Sequence, residues 1–201
     1  MRGRLVFGIL LILAVVLVIG IIGSSLFSNN GSYHGRNAIK GVPPFESIGG
    51  KVISYEEFVR FIVSRNLAIY LPTWLPKKYS LATIWAKNTS HGLEFPLIIV
   101  YSKGGSITDY RAREDNLVVE ITKVSPAPLK QYIEDGATPI YNAQGKLIGA
   151  LFTEAYCPTC ISQKTIPLAI VRIDGLEYLI SFRDANTLLK IVHSMKRLTI
   201  K

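Results

Sequence analysis

The residues best suited to chemistry are Cys157-Pro158-Thr159-Cys160, which contain both cysteines of the chain. At this spacing one thiolate can attack a disulfide while the other resolves it, as in redox pairs. Such a pair works when the first cysteine opens a helix, whose N-terminal dipole favours the thiolate. Here Ile161-Ser162-Gln163-Lys164-Thr165-Ile166-Pro167 follow and lead into a strand pattern. The spacing therefore favours a structural disulfide closing the connection between two strands, a loop closure contributing roughly 2 kcal/mol. A metal site is the weaker reading, because zinc takes four ligands and the motif offers two. His34, His91 and His193 fall in a linker, a loop and the last helix, with no two at ligand spacing. His193 lies off the apolar stripe of its helix, the pattern of a solvated histidine.

Hydrolytic signatures are missing. The chain has neither a G-x-S-x-G elbow nor an H-E-x-x-H pair. Glu56-Glu57 and Glu114-Asp115 are adjacent acids, whose side chains point different ways. Gly104-Gly105-Ser106 and Gly145-Lys146 lack the frame of a phosphate loop. Trp74, Lys77, Lys78, Tyr79 and Trp85 mix aromatics with cations. They suit single-stranded nucleic acid by stacking and phosphate contact, or lipid headgroups, where Trp and Lys are both at home. Trp74, Lys77, Lys78 and Tyr79 are the candidate headgroup or ligand patch, and no nucleic-acid partner is expected. Nothing calls for a cofactor or metal, and a non-enzymatic protein is expected.

What would place these residues begins at the N-terminus. Leu5 to Gly23 is unbroken apolar residues and glycine, and no charged side chain follows Arg4 until Arg36. Nineteen helical residues reach about 28 Å, close to the ~30 Å hydrocarbon core. The run is longer than a signal-peptide core, and Gly23-Ser24-Ser25 makes a poor cleavage site. A retained transmembrane helix is expected, with Arg2 and Arg4 keeping the N-terminus cytoplasmic. The net charge of +9 favours anionic partners without naming one. The expected division is 1–27 for the cytoplasmic tip and membrane helix, 28–50 for a Gly/Ser/Asn/Pro-rich tether, and 51–201 for an extracytoplasmic domain. In that compartment Asn30 and Asn88, each in an N-x-Ser/Thr triplet, are candidate glycosylation sites.

Within the domain, Ser54 and Glu57 form a capping-box pattern before Tyr55, Phe58, Val59 and Ile62, predicting a helix that ends near Asn66. Pro72 and Pro76 then impose an irregular path. Strands are expected over 80–87, 97–102, 117–124, 146–156, 168–173 and 176–182, with a helical turn over 129–134. Alternation of Leu117, Val119 and Ile121 with Val118, Glu120 and Thr122 predicts one buried face there. Asp174-Gly175 marks a two-residue hairpin. Asp184 can cap a final helix with Leu188, Ile191, Val192 and Met195 on its apolar stripe. Helix, strands, helix predicts an α+β domain: a mainly antiparallel sheet with one helix before it and a C-terminal helix packed on one face.

Leu75-Pro76-Lys77-Lys78-Tyr79-Ser80-Leu81 resembles the Leu-Pro-x-Gly-Tyr opening of an uncharacterised extracytoplasmic domain family of membrane-anchored bacterial and archaeal proteins. The close, Tyr178-Leu179-Ile180 followed by Leu189 to Met195, is similar too, so the resemblance covers about Leu71 to Leu198. It implies a curved antiparallel sheet distantly like that of the periplasmic lipoprotein carrier and the sigma-E regulator. The sequence departs at Lys78, where glycine is usual. The resemblance transfers no catalytic residues, and no sigma-binding region is present for an anti-sigma role. The expected function is a membrane-tethered binding or sensing module that holds an envelope protein, peptide or lipid on an open sheet face. The alternatives are a thiol–disulfide oxidoreductase using Cys157 and Cys160, and a pilin-like filament subunit.

Overall fold

A computed structural model describes residues 49–104, 116–156 and 165–200. The expected membrane helix, most of the tether with Asn30, and the Cys157–Cys160 motif lie outside the described residues. Among the described residues, no helix is long and apolar enough to cross a membrane.

The domain starts with a short strand, β1 (Gly50–Ile53), so Gly50 belongs to the sheet and not to the tether. Ser54 then ends the strand and starts helix α1 (Tyr55–Ser64). Its hydroxyl accepts from the Glu57 amide at 3.1 Å, and the Glu57 carboxylate accepts from the Ser54 amide at 2.9 Å. Two helix-end donors are thereby satisfied reciprocally. The proline-containing stretch holds strand β2 (Tyr70–Pro72), which pairs with β10 (Met195–Arg197) in a separate two-stranded ribbon.

The remaining strands are β3 (Ser80–Thr89), β4 (Gly92–Ser102), β5 (Leu117–Lys123), β6 (Thr138–Tyr141), β7 (Leu147–Tyr156), β8 (Thr165–Ile173) and β9 (Leu176–Ser181). With β1 they form one eight-stranded antiparallel sheet in the order β1-β3-β4-β5-β9-β8-β7-β6. The β8–β9 hairpin turns on Asp174 and Gly175, at φ 49° and 78°. Both signs are positive, as the tightest hairpins require and as Asp-Gly tolerates. The edge strands β1 and β6 have four residues each, and β6 contains Pro139.

Helix α3 (Ala185–His193) begins where the Asp184 carboxylate accepts from the Thr187 amide at 2.7 Å. Phe58, Phe61 and Ile62 of α1, and Leu188, Ile191 and Val192 of α3, pack on one face of the sheet. There they meet Leu97, Ile99, Leu117, Val119, Ile121, Tyr178 and Ile180. Leu176, Tyr178, Ile180 and Phe182 do share this core, as their alternation predicts.

The other face departs from expectation in two ways. The short helix α2 (Leu129–Glu134) packs there, with Tyr132 buried against Ala150 and Ile170, so the helices are divided between both faces. Farther along, Trp85, Ile98, Val100 and Val118 form a fully buried cluster. On β5, Leu117, Val119 and Ile121 are buried as expected and Glu120 and Thr122 are half-buried; the departure is Val118, on the outer face yet as inaccessible as Val119. An open sheet face is not observed in the described domain.

Candidate binding cleft

Binding surface is found instead where the C-terminal end of α3 meets the β2–β10 ribbon and the β6–β7 hairpin. An open cleft of about 500 Å³ lies there. Ile148, Ile173, Val192 and Met195 supply its apolar lining; Tyr70, Tyr141, Asn142 and His193 supply its polar groups. These residues are distant in sequence and are brought together by sheet register, which aligns Leu147 with Tyr141 and Met195 with Pro72.

Two of the polar groups are held in place. Tyr70 donates its hydroxyl to Asp174 Oδ2 at 2.8 Å, and its backbone N–H donates to Tyr178 Oη at 3.1 Å. The bond to Asp174 favours the protonated phenol and raises the Tyr70 pKa, so near neutral pH this side chain is a hydrogen-bonding group and not a base. Burial pushes the Tyr178 hydroxyl up to about 12. Asn142 Oδ1 accepts from the Gln144 and Lys146 amides at 3.0 and 2.9 Å, fixing the hairpin wall of the cleft. His193 is exposed at the rim. The arrangement can hold a ligand that combines an apolar body with hydrogen-bonding groups. Among the described residues, no three His, Cys, Asp or Glu side chains are grouped to hold a metal ion.

The patch expected from the sequence is not one surface. The Trp74 side chain is exposed, and its backbone N–H donates to Ser194 Oγ at 3.2 Å where α3 ends. Lys77 and Lys78 are exposed on the following turn. Tyr79 is buried, its ring edge-on to Phe182 at 5.5 Å, with Lys103 Nζ 5.3 Å above it. Trp85 is buried on the opposite face of the sheet. Of the expected patch, Tyr79 is drawn into the core, which leaves Trp74, Lys77 and Lys78 accessible. Lys78 has φ 73°, the left-handed conformation that glycine enters without strain, and the Tyr79 amide closes the turn on Pro76 O at 3.0 Å. Asn88 is exposed on β3, near the hairpin carrying His91.

One ion pair, with Glu177 buried and Arg172 half-buried, had no sequence signal beyond its position. Arg172 and Glu177 are register partners flanking the Asp174-Gly175 turn, and their closest contact is 2.7 Å. Arg172 also donates to Ala127 O at 2.6 Å and Ser125 Oγ at 3.1 Å, and Ser125 Oγ lies 3.1 Å from Tyr132 Oη. An arginine and a glutamate equidistant from a predicted turn could have marked the pair, though not its burial.

No protein-family model matches the chain, and no curated protein or solved structure matches it either.

Proposed function

We propose that the chain is a membrane-tethered extracytoplasmic binding or sensing module without catalytic activity, and that its ligand or partner occupies the cleft between α3, the β2–β10 ribbon and the β6–β7 hairpin. The observation that carries this reading is the composition of the cleft: an apolar lining, with Tyr70 and Asn142 locked by hydrogen bonds before any ligand arrives. Preorganised polar groups lose little entropy on binding. Leu5 to Gly23 supports the membrane placement, because an uncharged run of that length is more stable in lipid than in water.

The test places a photo-crosslinking amino acid at Tyr141, on the cleft, or at Tyr156, exposed at the opposite end of β7. The expected outcome in intact membranes is an adduct from position 141, abolished by Val192→Lys, and none from position 156. Equal adducts from both positions, or none from 141, would refute the cleft as the binding site. Retention of the full chain in the pellet after carbonate washing checks the anchor separately.

A further inference from the structure

The excess of cations in the domain is concentrated at one end of the strands. Register aligns Gly50 with Lys87, Lys87 with Glu94, Lys123 with Leu176, and Tyr141 with Leu147, which makes these residues one end of the sheet. Arg65 reaches the same end at the close of α1, over Phe61, whose ring meets Phe95. Lys196 and Arg197 reach it on β10, beside Met195 of the cleft. This end therefore carries Arg65, Lys87, Lys123, Lys146, Lys196 and Arg197 against Glu94 and Asp174. Both acids are engaged by hydroxyls: Glu94 accepts from Thr89 at 3.2 Å and Asp174 from Tyr70 at 2.8 Å. Among the described residues the close ion pairs join Lys51 to Glu57, Lys130 to Glu134 and Arg172 to Glu177, and of the six cations Lys87 alone has an acid, Glu94, as its register partner. The far end is closer to balanced: Glu56, Asp135, Glu154 and Asp184 stand against Lys77, Lys78, Lys103 and Arg183, while Glu57 and Glu134 are paired with Lys51 and Lys130.

The chain also enters the domain at the basic end: Gly49 O accepts from the Asn88 amide at 2.7 Å. The apolar run ends at Gly23. For a random coil of the length that separates Gly23 from Gly49 the root-mean-square span is about 25–30 Å. Such a tether holds the domain at high effective concentration beside the bilayer, so weak attraction suffices. Tyr141, exposed at this end, is a residue type suited to the headgroup layer.

We infer that the basic end of the sheet docks on the anionic headgroups of the bilayer that holds the chain. This rests on the membrane-anchored reading above. It directs the mouth of the cleft toward the lipid surface, since Tyr141 and Asn142 belong to both.

The full chain is placed in bilayer discs of phosphatidylcholine alone, or with phosphatidylglycerol added, and backbone hydrogen exchange is compared. In the anionic discs, exchange at the Asn88–Gly92 and Asn142–Lys146 turns should slow by about fivefold, the factor one surface lysine contributes. Exchange at Glu134–Gly136 should not change. Salt at 1 M, which shortens the screening length to about 3 Å, should remove the protection. So should Lys87→Gln, Lys123→Gln, Lys146→Gln and Lys196→Gln combined, at unchanged Tm. Equal exchange in the two discs, or protection that needs an added protein, overturns the inference. If the chain fails to enter discs, the anchored reading is what fails. The free chain is then floated with vesicles of the same two compositions: salt-sensitive binding to the anionic vesicles alone supports the docking end, and no binding overturns it.

Discussion

On one face of the sheet, α1 and α3 insert Phe58, Ile62, Leu188 and Ile191 into a continuous apolar core. On the other, the six-residue α2 covers β7 and β8 with Tyr132, and the adjoining space is filled by Arg172 and Glu177. The helices of the first face are capped by Ser54 and Asp184, whereas the N-cap of α2 is Pro128, with no side-chain cap. The first face is thus built from locally stable helices and dispersion contacts. The second depends on a largely buried charge pair that fastens the chain before α2 through Ser125 and Ala127. The two faces should fail differently.

The largest effect is expected on the first face. Phe58→Ala should cost about 3–5 kcal/mol in urea unfolding, from lost transfer energy plus the cavity left behind. A loss below 1 kcal/mol would show that α1 is dispensable to the core. On the second face, Glu177→Ala should cost about 3 kcal/mol, because Arg172 keeps its charge without its partner. Replacing both together, Arg172→Met with Glu177→Leu, should restore most of that loss; an equal loss in the double variant would mean that the bonds to Ser125 and Ala127 matter more than the ion pair.

Acid should distinguish the faces as well. Hydrogen bonds from Thr187 hold the Asp184 carboxyl below its ordinary value of 3.8, and the Ser54 amide holds Glu57 below 4.5. A carboxylate with a depressed folded pKa contributes stability that is complete above its unfolded pKa and is lost as pH falls through the folded one. Unfolding monitored between pH 5 and 2 should therefore show α3 losing its cap, and Asp184→Asn, which still caps, should flatten that dependence. Unchanged steepness in Asp184→Asn would remove Asp184 from the acid response. The smallest effect belongs to neither face. Lys78→Gly relieves a left-handed lysine and should raise stability by about 0.5–1 kcal/mol, the strain exceeding the extra chain entropy of glycine. A fall in stability would mean that Lys78 makes compensating contacts.

The elements legible in the sequence are those whose signal is local. Ser54 with Glu57, Asp174 with Gly175, and Asp184 ahead of the Leu188 stripe each carry their geometry within a few residues, and the structure has all three. The strands β1, β2, β6 and β10 have three or four residues, too few for alternation to register. Val118 lies on the more polar face of β5, and alternation reports polarity, whereas burial on the second face depends on what lies above it. Tyr79 follows Lys77 and Lys78 in the sequence, yet its ring packs against Phe182 in the core, because closeness to lysines along the chain does not report which way a ring points. The cleft was illegible for a different reason. Tyr70, Tyr141, Ile173 and His193 meet only through the pairing of strands far apart in sequence.

Pro139 has a consequence for a protein that would share a crowded two-dimensional surface with its own copies. An exposed terminal strand invites another chain to zip onto it, and confinement raises the encounter rate. At the β6 border that zipper lacks a tooth, because proline has no amide hydrogen to offer a newcomer. The opposite border, β1, is only four residues long. Density alone should therefore leave neighbouring copies as separate molecules, and any assembly they form must use side-chain surfaces.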